Sequence, residues 1–382
     1  MPELVVLDLP GGTGFVDALQ AVWDTGDAAA PLDPRLPAPA RQAVLEALRP
    51  SRVVGSDGDQ HLLHDGIGVE EGDALVMATS GSSGRPKGVV LTHDAVAASA
   101  QATSEAMGVD PAVHRWLACL PLAHIGGLSV ITRALHTSTP LTVLPSFDAE
   151  MVESLGRRGE ATHVSLVATA LRRLDPSVFT RILLGGARPP GEIPPNTVVT
   201  YGMTETGSGV IYDGYPLEGV EVAIDHFGDD ETGEILLRGP MLLRCYRDGS
   251  TGRVVGPDGS STWLATGDAG FITADGRLEV SGRMAEVITT GAEKVWPDAV
   301  ERVLLTHAGV GEVAVWKRAD PEWGERVVAW VVAAPSESAP SLEALRELVT
   351  VSLSPWAAPK ELQVVDQLPR TPLGKVKRSD LR

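Results

Sequence analysis

The sequence predicts an α/β protein: a large layered α/β N-terminal domain with a small β-rich part, then a small α+β C-terminal domain. Three observations predict it. Short apolar runs such as "THVSLV" (162–167), "RILLGG" (181–186) and "TVVTYG" (197–202) alternate with helical stretches at 148–158 and 168–174, the pattern of a layered sheet. From about 217 to 281 the texture changes to short β-like segments between Gly and Asp turns, as in "GVEVAI" and "FITADGRLEVSG". Near 282 it changes again, to "AVERVLL", "VGEVAVWKR", "ERVVAWVVA" and "LEALRELVTVSL", read as helix, strand, strand, helix. The domains expected are 1–281 and 282–382, with the break at Gly282–Glu286.

The earlier elements follow in order. Residues 14–24 and 41–49 read as helices joined by the Pro-rich "APLDPRLPAPA". "ALVMAT" (74–79) is a buried strand and "GVVLTH" (88–93) a second one, with Thr92 or Asp94 placed to cap an Ala-rich helix that starts near Ala95. No apolar run reaches 18 residues, so no helix is expected to cross a membrane. "MPELVVLDLPGG" has neither a basic n-region nor a long apolar stretch, so no secretory leader is expected. Cys119 and Cys245 lie far apart and without metal spacing, which fits a reducing cytoplasm. A net charge of −18 disfavours nucleic acid and anionic membranes as partners. Against that background the last 23 residues carry six basic and three acidic side chains, a local positive tail suited to an anionic ligand.

The stretch "MATSGSSGRPKGVVLTH" (77–93) is the most informative. Glycines let the backbone turn tightly, and successive N–H groups form an anion-binding concavity. It is not a Walker loop, because Pro86 separates Gly84-Arg85 from Lys87 and Gly88 stands where Ser or Thr is required. A strand follows it rather than a helix. It is a phosphate loop of another kind.

"TSGSSGRPKG" (79–88), "YGMTE" (201–205), "TGD" (266–268), "GR" (282–283) and "PRTPLGKVKR" (369–378) occur in this order, and together they resemble the signature set of the ANL adenylate-forming superfamily. "AVWDTGDAAAPLDPRLP" (21–37) extends the resemblance over almost the whole chain, with a compressed N-terminal subdomain. The resemblance implies attack of a carboxylate on the α-phosphorus of ATP, release of pyrophosphate, and displacement of AMP by a thiol or amine. Such chemistry needs positive charge and backbone donors arranged in advance. It implies that Thr79, Ser80, Gly81, Ser82, Ser83, Gly84 and Lys87 cradle the outer phosphates. Tyr201 would pack on adenine beside Gly202 and Met203, Thr204 would bond a phosphate, and Glu205 would ligate Mg2+. Gly185, Gly186 and Ala187 would let adenine and the acyl group approach the backbone. Asp268 would accept from the ribose hydroxyls, with Arg283 beside the nucleotide. His124, Gly126 and Gly127 would line the acyl site, although a lone histidine among apolar residues is also read as a satisfied core group. Lys375 would stabilise the adenylation transition state, carried in by a mobile C-terminal domain turning about 282–286.

Two positions depart from the family pattern. Ala285 stands where the hinge has Asp or Lys, and Ala292 follows Gly291 where a second glycine borders the pantetheine tunnel. The short chain and "TETGSGVIYDGYPLEGV" most resemble the actinobacterial o-succinylbenzoate–CoA ligases of menaquinone synthesis. The partners implied are ATP, Mg2+, coenzyme A and a small carboxylic acid, and a homo-oligomer is compatible with the family. Three other readings stay open: an acyl-CoA synthetase for another aryl or short- to medium-chain acid, an adenylating enzyme that loads a separate carrier protein, and a non-catalytic adenylate-binding protein.

Overall fold

The structure is a computed structural model that describes all residues except 57–59, 81–85, 187–191, 229–230, 292, 336–337, 371–375 and 382. The chain divides into two compact units, Met1–Ala223 with Leu236–Ala265, and Ile224–Ile235 with Thr266–Arg382. The division falls inside the strands Glu221–His226, Gly233–Arg238 and Trp263–Ile272. The expected pivot at 282–286 lies within the second unit.

The first unit holds two seven-stranded sheets. In one, Leu4–Asp8 lies parallel between Ala28–Pro31 and Arg52–Gly55. Leu4, Val5, Val6 and Leu7 are all fully buried, as a parallel strand covered on both faces requires. Asp73–Ser80 extends this sheet and pairs antiparallel with Pro86–Thr92, whose outer edge is covered by the short strand Cys245–Tyr246. That last pairing takes one segment out of the β-rich stretch expected at 217–281 and seats it on the first sheet.

The other sheet has a parallel core of His163–Val167, Arg181–Gly185 and Thr197–Met203, then turns antiparallel at Ser208–Tyr212. Leu117, Val164, Leu166, Ile182 and Leu184 form its apolar interior with Val152 and Leu155 of the helix Ala149–Arg157. The helix His93–Ala106 starts as its sequence indicates, with the Thr92 hydroxyl accepting from Ala95 N–H at 3.1 Å. The helix Ile125–Thr137 was not foreseen. It is buried from Gly127 to Ala134, with Ser129, Thr132 and Arg133 included, and it opens on two glycines that read as a turn.

In the second unit, Gly324–Ala333 is buried on both faces. Val327, Ala329 and Val331 pack with Val300, Leu304, Leu345 and Val349 of the helices Pro297–Leu304 and Leu342–Ser352. Val328 and Trp330 point the other way, against Leu368 and Leu381 of the tail. The alternation of one strand therefore seats the terminal segment on the sheet.

Candidate active site

The phosphate-loop motif is carried by a hairpin. Its strands pair from Asp73 with Thr92 to Ser80 with Pro86, placing Thr79 opposite Lys87. Gly81, Ser82, Ser83 and Gly84 lie outside the described residues, as does the side chain of Ser80. Gly88 is fixed by crowding, since a Cβ there would sit 2.7 Å from Leu48 and 2.9 Å from Arg247. Lys87 is exposed, and its ammonium stands 5.4 Å from the centre of the Tyr246 ring, within the range of a cation–π contact.

The "YGMTE" motif lies at the carboxyl ends of neighbouring parallel strands, the usual crevice position in an open α/β sheet. Gly185 ends one strand, while Tyr201, Gly202 and Met203 close the next. Gly202 has no room for a side chain, because a Cβ would meet Ser208 O at 2.2 Å. Gly186 takes φ +85, open to glycine; Ala187 lies outside the described residues. Thr204–Thr206 then form a single 3₁₀ turn. The buried Thr206 hydroxyl ties that turn, accepting from Met203 N–H at 2.9 Å and donating to Ser208 O at 2.6 Å. Glu205 is held at both ends. Its carbonyl accepts from Leu243 N–H at 2.7 Å, and its carboxylate accepts from the Tyr246 hydroxyl at 3.1 Å. Burial, and then the Glu205 carboxylate, push the Tyr246 phenol up from its ordinary value, so it stays a donor.

Lys87, on a strand of the first sheet, and Glu205, on the turn between two strands of the other, meet the same side chain. Sequence reasoning named both and missed Tyr246, whose surroundings, "LLRCYRDG", match none of the motifs quoted above. A magnesium ion wants hard oxygen ligands, and few from the protein when phosphates supply the rest. Glu205 offers one carboxylate, and no group of three His, Cys, Asp or Glu able to hold an ion exists among the described residues. The donor set fits a cation that arrives with a nucleotide.

His124 caps the helix Ile125–Thr137, whose first amides at Gly127 and Leu128 donate to its carbonyl at 3.0 Å. Gly127 is dictated by this turn, because a Cβ would lie 2.4 Å from Pro121 O, whereas Gly126 faces open space. His124 also sits near Asp33, whose carboxyl is held below its ordinary range first by the Arg35 guanidinium and least by the His124 charge.

In the second unit, Asp268 and Arg283 are register partners on adjacent antiparallel strands. Arg283 Nε stands 2.8 Å from the buried Asp268 carboxylate, so the two residues expected around the nucleotide already hold each other. Gly267 takes φ +70, and its N–H donates to Glu234 at 2.9 Å. Ala285 is exposed within the 3₁₀ turn Met284–Glu286. Gly291 takes φ +67 and donates to Trp323 O at 2.7 Å; Ala292 lies outside the described residues. Lys375 does too, in a stretch bracketed by an antiparallel bridge between Arg370 and Val376. Arg378, just beyond it, reaches Glu286 at 2.5 Å, Asp298 at 2.6 Å and Glu301 at 3.0 Å. The tail is thus clamped to the expected hinge and to the helix Pro297–Leu304.

The family model described as AMP-binding enzyme matches residues 66–247, and that of the AMP-binding enzyme C-terminal domain matches 299–375. A probable 2-succinylbenzoate–CoA ligase of Mycobacterium tuberculosis is 37% identical over 370 residues, spanning 90% of this chain and 93% of its own. The chain belongs to the AMP-binding enzymes. Within that family, the 2-succinylbenzoate–CoA ligase of Listeria monocytogenes is 33% identical across 81% of this chain and 69% of the relative. Among solved AMP-binding enzymes, the Bacillus subtilis o-succinylbenzoate CoA synthetase bound to its acyl-adenylate intermediate aligns at a TM-score of 0.84 and 27% identity, covering 100% of this chain and 88% of that one. The amide bond synthetase of Marinactinospora thermotolerans aligns at 0.85 and 25%. The first matched segment contains Lys87, His124, Glu205 and Tyr246.

Proposed function

We propose that this chain is an ATP-dependent, AMP-forming acid–CoA ligase that activates o-succinylbenzoate for menaquinone synthesis. The reaction class is supported chiefly by the meeting of Lys87 and Glu205 at one tyrosine, which supplies an ammonium for phosphate and a carboxylate for its cation at one place. The acid is supported by the relatives, whose names specify 2-succinylbenzoate.

In this reading Lys87 and the backbone of the loop around it bind the outer phosphates, with Thr204 donating to a phosphate oxygen. Magnesium, when bound with ATP, neutralises phosphate charge, and Glu205 is the residue that holds it. Tyr201 covers adenine at the strand ends, where Gly185, Gly186 and Gly202 let the ligand come close. Asp268 accepts from the ribose and Arg283 orients that carboxylate. His124, Gly126 and Gly127 bound the acyl site. Lys375 balances charge developing on the α-phosphate as the carboxylate attacks, then leaves as the C-terminal domain turns at 282–286 so that the CoA thiol can enter past Gly291 and Ala292. The reading puts the reaction in the cytoplasm, as a proposal that follows from its use of ATP and CoA, and self-association is a family expectation that light scattering will decide.

ATP–pyrophosphate exchange without CoA tests the first step. Exchange is expected with o-succinylbenzoate, at least a hundredfold above benzoate or medium-chain fatty acids, and at least a hundredfold lower in Lys375→Ala. Equal exchange with another acid would overturn the substrate, and exchange unchanged in Lys375→Ala would overturn the mechanism.

A further inference from the structure

Lys87 and Glu205 carry opposite charges and lie against one aromatic side chain. Without ligand, an ammonium and a carboxylate that share one neighbour would gain by pairing directly, and each would then be withdrawn from the phosphate or cation it serves. They do not pair. The Tyr246 ring presents its electron-rich face to the Lys87 ammonium at 5.4 Å, while its hydroxyl donates to Glu205 Oε1 at 3.1 Å. One side chain contacts both charges, the ring face toward Lys87 and the hydroxyl toward Glu205.

We propose that Tyr246 is the positioning residue of the phosphate and magnesium site, keeping Lys87 and Glu205 apart and correctly aimed until Mg·ATP arrives. Its own placement is well determined. Cys245 and Tyr246 pair antiparallel with Val90 and Val89, on the strand that carries Lys87. Arg247 locks the next residue, donating from its backbone N–H to Gly88 O at 2.7 Å and from its guanidinium to Leu48 O at 2.9 Å and Gly68 O at 2.8 Å. Leu243 N–H, on the same segment, fixes the backbone of Glu205 at 2.7 Å. The segment 243–247 therefore ties the strand of the lysine to the turn of the carboxylate, and Tyr246 does the same at the level of side chains. The inference rests on Lys87 and Glu205 having the roles given above, and the test separates the two.

Binding is measured on the whole protein with a non-hydrolysable ATP analogue: analogue affinity without metal by calorimetry, and Mn2+ affinity in its presence by electron paramagnetic resonance. Tyr246→Phe keeps the ring face and loses the hydroxyl. Its Mn2+ affinity is expected to fall about three- to tenfold, the scale of one ordinary hydrogen bond, with metal-free analogue affinity within twofold. Tyr246→Leu loses both contacts, and both affinities are expected to fall at least threefold. Glu205→Gln is the control. If it weakens Mn2+ while Tyr246→Phe does not, the positioning role is overturned and the role of Glu205 stands. If Glu205→Gln leaves Mn2+ binding unchanged, the reading of Glu205 falls, and the proposal with it.

Discussion

Arg133 and His163 are both buried beside Trp116, and burial pushes the pKa of each down. Arg133 stacks its guanidinium 4.7 Å over the Trp116 ring and reaches Ser208 Oγ at 3.3 Å, with no carboxylate partner among the described residues. An arginine stays charged even so. His163 yields instead: burial first, then the nearby His114, lowers it to about 4. Its folded value lies below its unfolded one, so the unfolded chain binds the extra proton between about 6.5 and about 4. The stability gained from the neutral imidazole is complete above about pH 6.5 and is lost as pH falls through that window. A thermal melt should show the wild type losing up to about 3 kcal/mol more than His163→Gln between pH 7 and pH 4. Equal losses in the two proteins would show that His163 titrates normally.

At the scale of elements, strands and caps were legible where local pattern decides them. "ALVMAT" and "RILLGG" sit where expected, and Thr92 caps its helix. Two of the elements that went unread did so for different reasons. The helix Ile125–Thr137 opens on Gly126-Gly127, which reads as a turn, and it buries Ser129, Thr132 and Arg133 together with its apolar residues, so burial does not follow the polar pattern of the sequence. Cys245–Tyr246 is a two-residue strand made by pairing with residues far earlier in the chain, and no local signal encodes that. Tyr246 was missed for the same reason. Glu205 and Lys87 were found because their motifs are local, while the side chain that joins them is not.

The clamp at Arg378 is likewise a long-range element. One guanidinium serves three carboxylates, and burial raises the pKa of both Glu286 and Glu301. A carboxyl whose folded pKa is raised costs stability as pH rises through the window above its unfolded value. Removing Arg378 takes away the charge that opposes this rise. Arg378→Ala should therefore lose about 3–5 kcal/mol at pH 8 and recover part of it at pH 5, read from denaturant melts at both values. A loss independent of pH would mean that the cluster is held by packing alone.

For the molecule as a whole, the α/β class and the division into a large and a small unit were visible in the sequence, because alternating apolar runs and turn residues report layers directly. The path of the chain at the division was not. The units part inside strands of the β-rich region, and a contact pattern that crosses there leaves no trace in local composition. The ordered motifs identified the family across nearly the full length, but the acid it activates is set by pocket side chains from several elements. The reaction proposed for the chain joins o-succinylbenzoate to CoA with ATP cleaved to AMP. The most direct test incubates the protein with ATP, Mg2+ and o-succinylbenzoate, with and without CoA, and follows AMP by chromatography and the acyl product by mass spectrometry. One AMP is expected per o-succinylbenzoyl-CoA formed, with sustained turnover only when CoA is present. Sustained AMP formation without a CoA thioester, or a thioester formed in preference from another acid, would contradict it.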